Sequence, residues 1–311
     1  MRKEQFSFLS KDGKTKIHAV RFEPDSGEYR AVLQIVHGML EHIRRYEPFA
    51  EYLTSQGYLV VGHDHLGHGE SVQSDEDLGY FGKNPSDILV SDIHTMRTMV
   101  QKENPGKPYF IASHSMGSYM TRKYLALHGT GLNGVILLGT GYIPDCSVRF
   151  GILATSILAK LRGGKYRSKL VRTLTFGKPY RKFDLDGKNM EKSWLTKDTE
   201  IVKEYYADPK CTFLFSVNAY LGLFEAVYFD NRPKNIEKIP KDLPLLLASG
   251  ADDPVGDMGK GVKHVYETYK HAGIRDITLK LYENDRHEIL NETNKDEVYH
   301  DILAWLNVHM K

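Results

Sequence analysis

Short, unbroken apolar runs that stop abruptly at polar or glycine-bearing loops constrain this chain more than any other feature. Ala31–Val36 stops at His37-Gly38, Tyr58–Gly62 at His63-Asp64, and Tyr109–Ala112 at Ser113. Gly134–Leu138 stops at Gly139, Leu243–Ser249 at Gly250, and Ile277–Tyr282 at Glu283. Runs of this length without polar alternation suit parallel strands buried on both faces. Between them lie stretches of helical period: Tyr46–Ser55, Ser91–Lys102, Met116–His128, Gly259–Ala272 and Asp296–His309. Strand–helix alternation is the signature of an α/β sheet with right-handed crossovers. At the N-terminus, Gln5–Ser10 and Lys16–Phe22 instead alternate around the turn Lys11–Lys14. That pattern predicts a hairpin adding antiparallel edge strands to the sheet.

The rhythm breaks from about Ile143 to Ile239. That region is mostly helical in pattern, with turns at Gly163-Gly164, Gly177-Lys178-Pro179 and Ala207-Asp208-Pro209. An insertion between two sheet strands reads as a cap over the sheet's C-terminal edge, where open α/β sheets bind ligands. The expected division is a core of residues 1–142, a cap of 143–240 and a second core segment of 241–311. Lys and Arg number 42 against 40 Asp and Glu, a net charge of +2, which gives no global reason to expect nucleic acid. Two cysteines, Cys146 and Cys211, exclude a disulfide scaffold. The first residues carry no apolar signal core and no apolar run reaches the roughly 18 residues of a membrane span. The expectation is a cytoplasmic protein in a reducing compartment.

The strongest local signal is Tyr109-Phe-Ile-Ala-Ser-His-Ser-Met-Gly-Ser-Tyr119. A buried strand, a tight turn and an immediate helix form the context of a nucleophile elbow, which presents Ser115 beside the positive end of a helix. Small residues must flank the nucleophile at −2 and +2. Gly117 meets the second demand, and Ser113 replaces the usual glycine at the first. Ser113 itself is the poorer nucleophile, since its own flanks are Ile111 and Ser115. The loop His37-Gly38-Met39 after the first core strand places the Met39 N–H as half of an oxyanion hole, with the Met116 N–H as the other half. The acid and the histidine should follow the serine in that order. Asp252, Asp253 and Asp257 lie just past a buried strand, with Asp253 preferred and Asp257 the residual alternative. Asp285 is too close to the histidine in sequence. Among the late histidines, His264, His271, His300 and His309 fall in predicted helices, and His287 alone lies in a loop after a strand.

Four segments recur in order: His37-Gly-Met-Leu-Glu-His-Ile-Arg-Arg-Tyr46, Gly62-His-Asp-His-Leu-Gly-His-Gly-Glu-Ser71, Ser113-His-Ser-Met-Gly117 and Tyr282-Glu-Asn-Asp-Arg-His287. Through them the chain resembles the monoacylglycerol lipase and lysophospholipase group of the α/β-hydrolase superfamily, over roughly Phe6–Tyr142 and Leu243–Lys311. The resemblance implies an α/β-hydrolase fold with a mostly parallel central sheet and an inserted helical cap. It also implies a catalytic set of Ser115, Asp253 and His287, the acid following from the alignment of Gly250-Ala-Asp-Asp253 on the family's Gly-x-x-Asp segment. The cluster His63-Asp64-His65-Leu66-Gly67-His68 tempts a metal reading, but in the resembled group this segment is a structural connection. No metal and no cofactor is expected.

The function expected is hydrolysis of a lipid-like ester, a monoacylglycerol or lysophospholipid, through an acyl-enzyme. The alternatives are an esterase for short or aromatic acyl esters, an aminopeptidase of the same fold, and a non-catalytic binding protein of that fold. The apolar, helical-looking stretch Phe213–Phe224 reads either as cap packing or as an acyl-binding wall. Between Asp145 and Asp184 there is no acidic residue, while Arg149, Lys160, Arg162, Lys165, Arg167, Lys169, Arg172, Lys178, Arg181 and Lys182 lie there. That segment, with the amphipathic run Ile152–Leu161, is either a solvated face or a contact for anionic membrane.

Overall fold

The computed structural model describes residues 1–310, so Lys311, the last residue of the expected second core segment, lies outside the described residues. One sheet organises them. Its strands are β1 Arg2–Leu9, β2 Lys16–Glu23, β3 Ala31–Val36, β4 Tyr58–His63, β5 Tyr109–His114, β6 Gly134–Leu138, β7 Leu245–Gly250 and β8 Ile277–Tyr282. Their order is β1-β2-β4-β3-β5-β6-β7-β8. The N-terminal hairpin pairs antiparallel, both within itself and onto β4. Every other pairing is parallel. β3 to β7 are buried along their whole length, which is why their sequences are unbroken apolar runs rather than alternating ones. The edge strand β8 is partly exposed and tolerates Lys280.

Helices cover both faces. On one, α1 Glu47–Ser55 and α10 Lys295–Val308 pack Phe49, Leu53, Val298, Ile302 and Leu306 against the sheet. On the other lie α2 Pro85–Glu103, α3 Met116–His128 and α9 Lys260–His271. Helix α2 starts six residues before its apolar period suggests, because Pro85 opens it. A proline's fixed φ and missing N–H suit the first helical position.

Between the paired strands β6 and β7 the chain runs through α4 Asp145–Arg162, α5 Lys169–Thr175, α6 Thr199–Ala207, α7 Val217–Asp230 and α8 Pro233–Ile236. The stretch Phe213–Phe224 is helical only from Val217. Ser216 caps α7 by accepting the Ala219 N–H at 3.2 Å, and Phe213 and Phe215 precede the cap in neither helix nor strand. Helix α7 buries Leu223, Ala226 and Val227 in the core cluster shared with α2 and α3.

The sheet order places the chemistry. From β3 the chain crosses to β4 on one side, and β5 then returns on β3's other side, so the loops after β3 and β5 leave a crevice at their shared C-terminal edge. The register Val36↔Ser113 sets His37-Gly38-Met39 beside Ser115.

Candidate active site

Ser115 occupies the turn between β5 and α3 with φ 52° and ψ −122°. This backbone region is rare for a residue with a Cβ and persists only where the surroundings impose it. Its N–H donates to Leu138 O at 2.9 Å, and Ser118 Oγ donates to Ser115 O at 2.6 Å. A Cβ at Gly117 would lie 2.3 Å from His37 O and 2.4 Å from Val36 O, so glycine is required there. Ser113 fits at −2 because it is buried and donates its Oγ proton to Ile136 O at 3.2 Å. Ser115 is half-buried and opens into a cavity of about 420 Å³, lined also by Met39, Met116, Phe176, Trp194 and Leu223.

His287 and Asp253 meet each other. His287 Nδ1 is 3.0 Å from Asp253 Oδ2, and both side chains are fully buried. Ser249 Oγ donates to Asp253 Oδ2 at 3.0 Å and the Val255 N–H to Oδ1 at 2.8 Å, which fixes the carboxylate. Among the described residues, none of the other acids bonds His287. Asp252 faces Lys182 at 3.8 Å, Asp285 accepts from Lys197 Nζ at 3.1 Å, and Asp257 lines the cavity. Gly139 makes room for the imidazole, since a Cβ there would lie 3.0 Å from His287 Cε1. The N–H groups of Met39 and Met116 have no protein partner among the described residues. Met116 is the first residue of α3, at the positive end of the helix dipole.

Sequence reasoning missed the supports of this arrangement. Glu41 Oε1 accepts from the Gly38 N–H at 2.5 Å, His114 Nδ1 at 2.9 Å and Tyr46 Oη at 3.0 Å. Arg45 donates to both oxygens of Glu288 at 2.7 Å and to Glu41 at 3.3 Å. His114 Nε2 lies 3.3 Å from His287 O. Burial opposes charge on His114, but the Glu41 carboxylate outweighs it and raises the imidazole's pKa. Burial likewise opposes charge on Glu41, and the His114 cation pulls its pKa down to about 2. Trp194, from the segment before α6, stacks on His287 at 5.0 Å between ring centroids. The one available signal was the Glu41–Arg45 spacing of four residues.

The buried cluster His63, His65 and His68 is neutral: burial lowers the pKa values to about 3, 4 and 3. His65 donates from Nε2 to His37 O at 3.1 Å, and its N–H donates to His37 Nε2 at 2.8 Å. These bonds brace the His37-Gly38 loop.

Mostly parallel sheet, flanking helices and strand-to-helix serine turn together define an α/β-hydrolase. Residues 27–294 match the family described as serine aminopeptidase, S33 (Hydrolase_4), and the chain belongs to that family of hydrolases. It is 26% identical to human monoglyceride lipase over 293 residues, 92% of this chain and 86% of that one. It is 25% identical to the monoacylglycerol lipase of Mycolicibacterium smegmatis, over 99% of this chain and 98% of that one. Among solved structures, a thermostable carboxyl esterase from Bacillus coagulans in complex with glycerol superposes with a TM-score of 0.91 at 29% identity, covering 100% of both chains.

Proposed function

We propose that this protein is a serine hydrolase of lipid-like esters, monoacylglycerols or lysophospholipids, working through an acyl-enzyme. The observation that carries the reading is the buried His287–Asp253 pair, 3.0 Å apart, which Trp194 joins to the cavity that Ser115 lines from its strand-to-helix turn at φ 52°. Ser115 Oγ attacks the ester carbonyl. His287 takes the serine proton at Nε2 and delivers it to the departing alcohol. Asp253 holds the proton on Nδ1 and stabilises the imidazolium. The Met39 and Met116 amides receive the negative charge of the tetrahedral intermediate, and water then repeats the sequence on the acyl-enzyme. No cofactor enters.

Residues 143–240 act as the cap. An apolar cleft of about 420 Å³ between α4 and α5 shares Ile143, Ser147 and Leu174 with the cavity at Ser115 and continues to Phe150 and Phe224. Such walls favour an acyl chain over a peptide, and Asp257 is the one carboxylate lining the serine's cavity. The relatives named as monoglyceride lipases favour the glycerol ester over the lysophospholipid.

The cap also meets anionic membrane in this reading. On α4, Phe150, Leu153, Ile157 and Leu161 are 61%, 59%, 49% and 72% exposed at spacings of three and four residues. Leu170 and Leu174 extend this apolar surface on α5, and the basic residues of the segment flank it. No described helix is long and apolar enough to cross a membrane. The two free cysteines fit a reducing cytoplasm.

The test is a hydrolysis panel of monoacylglycerols, lysophospholipids and p-nitrophenyl esters of graded chain length, with Ser115→Ala as control. Long-chain monoacylglycerol turnover that vanishes in Ser115→Ala is expected. A preference for short or aromatic esters points to the simpler esterase, and cleavage of aminoacyl amides alone to the peptidase.

A further inference from the structure

We propose that His42, Asp208 and Cys211 form a binding site for a thiophilic divalent cation of the zinc type. The site goes beyond the hydrolase reading and does not depend on it. Each residue offers one donor, and the three donor atoms lie within 4.8 Å of one another. Imidazole, carboxylate and thiolate together are a donor set that suits zinc over calcium or magnesium. Ligand atoms about 2.0–2.3 Å from a tetrahedral ion sit about 3.3–3.8 Å apart. The present spacing therefore needs the thiol to close by up to about 1 Å and the His42–Asp208 contact, now 2.8 Å, to open by about 0.5 Å.

The chain holds the donors ready. Asp208 follows α6; its Oδ1 accepts the Lys210 N–H at 2.7 Å, which leaves Oδ2 facing His42 Nε2 at 2.8 Å. The Cys211 N–H bonds Asp208 O at 3.0 Å, so both cap ligands belong to one tight turn. A cleft of about 250 Å³, lined also by Glu204 and Ile201, leaves room for a water as fourth ligand. The cations nearby are already answered by carboxylates. Arg45 pairs with Glu288, and Arg44 and Lys210 with Glu70. Coordination would replace the thiol proton, which leaves to solvent through the cleft. The bound ion would tie the loop carrying Met39 to the cap. His42 lies 166 residues before Asp208, so reading the chain linearly leaves only the Asp208–Cys211 pair and predicts no metal.

The test uses the full chain with cobalt(II) as a spectroscopic substitute for zinc. Cys146→Ser leaves Cys211 as the sole thiol. That variant should show a thiolate-to-cobalt charge-transfer band that zinc displaces at one equivalent. Cys211→Ser should lose the band. His42→Gln and Asp208→Asn should weaken cobalt binding by about tenfold or more, at least the cost of losing a second-sphere partner. A folded Cys146→Ser protein without the band, or a band that survives Cys211→Ser, would overturn the proposal. If Cys211→Ser does not fold, His42→Gln decides: unchanged affinity there overturns it as well.

Discussion

At Ser115 three neighbouring residues are chosen by the space available to them. Gly117 faces two carbonyl oxygens, Gly139 faces the His287 ring, and Ser113 finds a carbonyl on β6 that tolerates its hydroxyl. Gly117→Ala should therefore overpack the turn and lower stability by about 1–3 kcal/mol or more, read as a reduced urea midpoint. At the acid position the geometry separates two candidates. Asp253→Asn should keep the fold and lower kcat by about 10³–10⁴-fold, since the imidazole would lose its orienting carboxylate and settle in the wrong tautomer. Asp257→Asn should stay near the parent rate on a soluble ester. The reverse pattern would move the acid role to Asp257. Ser115 and His287 were legible at this scale because strand-end positions imply them. Trp194 was not, since its value lies in stacking on a histidine from another segment.

Among the elements, the three loops of the candidate site are tied by one buried set of charges. Glu41 holds the Gly38 amide, His114 precedes Ser115 and reaches the His287 carbonyl, and Arg45 grips Glu288 next to His287. Removing one member leaves the others unpaired in the interior, so Glu41→Gln should cost about 3–5 kcal/mol. The pH dependence follows from the shifts. His114's pKa is raised above 6.5, so its contribution is complete below that value and is lost as pH rises through the folded value. Glu41's is lowered from 4.5 to about 2, so its contribution is present above 4.5 and is lost as pH falls toward 2. Thermal unfolding of the parent should thus decline at both ends, while Glu41→Gln should lose the decline above pH 6.5. An unchanged alkaline slope in that variant would remove His114 as its source. The core strands were legible because burial on both faces writes itself as an unbroken apolar run. The start of α2 and the non-helical Phe213–Ser216 were not, because Pro85 and the Ser216 cap set those boundaries against the apolar period. The charge network was hidden for another reason: its members converge only after the β3, β5 and β8 loops meet.

For the molecule as a whole, α4 and α5, in the segment proposed as the cap, present an apolar ridge outward, where burial in protein is lacking. If that ridge docks on lipid, Leu153→Ser with Ile157→Ser should weaken binding to anionic vesicles while leaving turnover of a soluble short-chain ester intact. Each basic residue near the surface should add roughly 1 kcal/mol, screened over a Debye length of about 8–10 Å. Binding that ignores lipid charge and salt would reduce the segment to a solvated face. The central claim, that Ser115 is an activated nucleophile, is tested most directly by labelling the intact protein with a fluorophosphonate and mapping the adduct by mass spectrometry. The account predicts a single adduct on the peptide containing Ser115, absent in Ser115→Ala and much slowed in Asp253→Asn. No labelling of folded protein, or labelling that persists in Ser115→Ala, would contradict it.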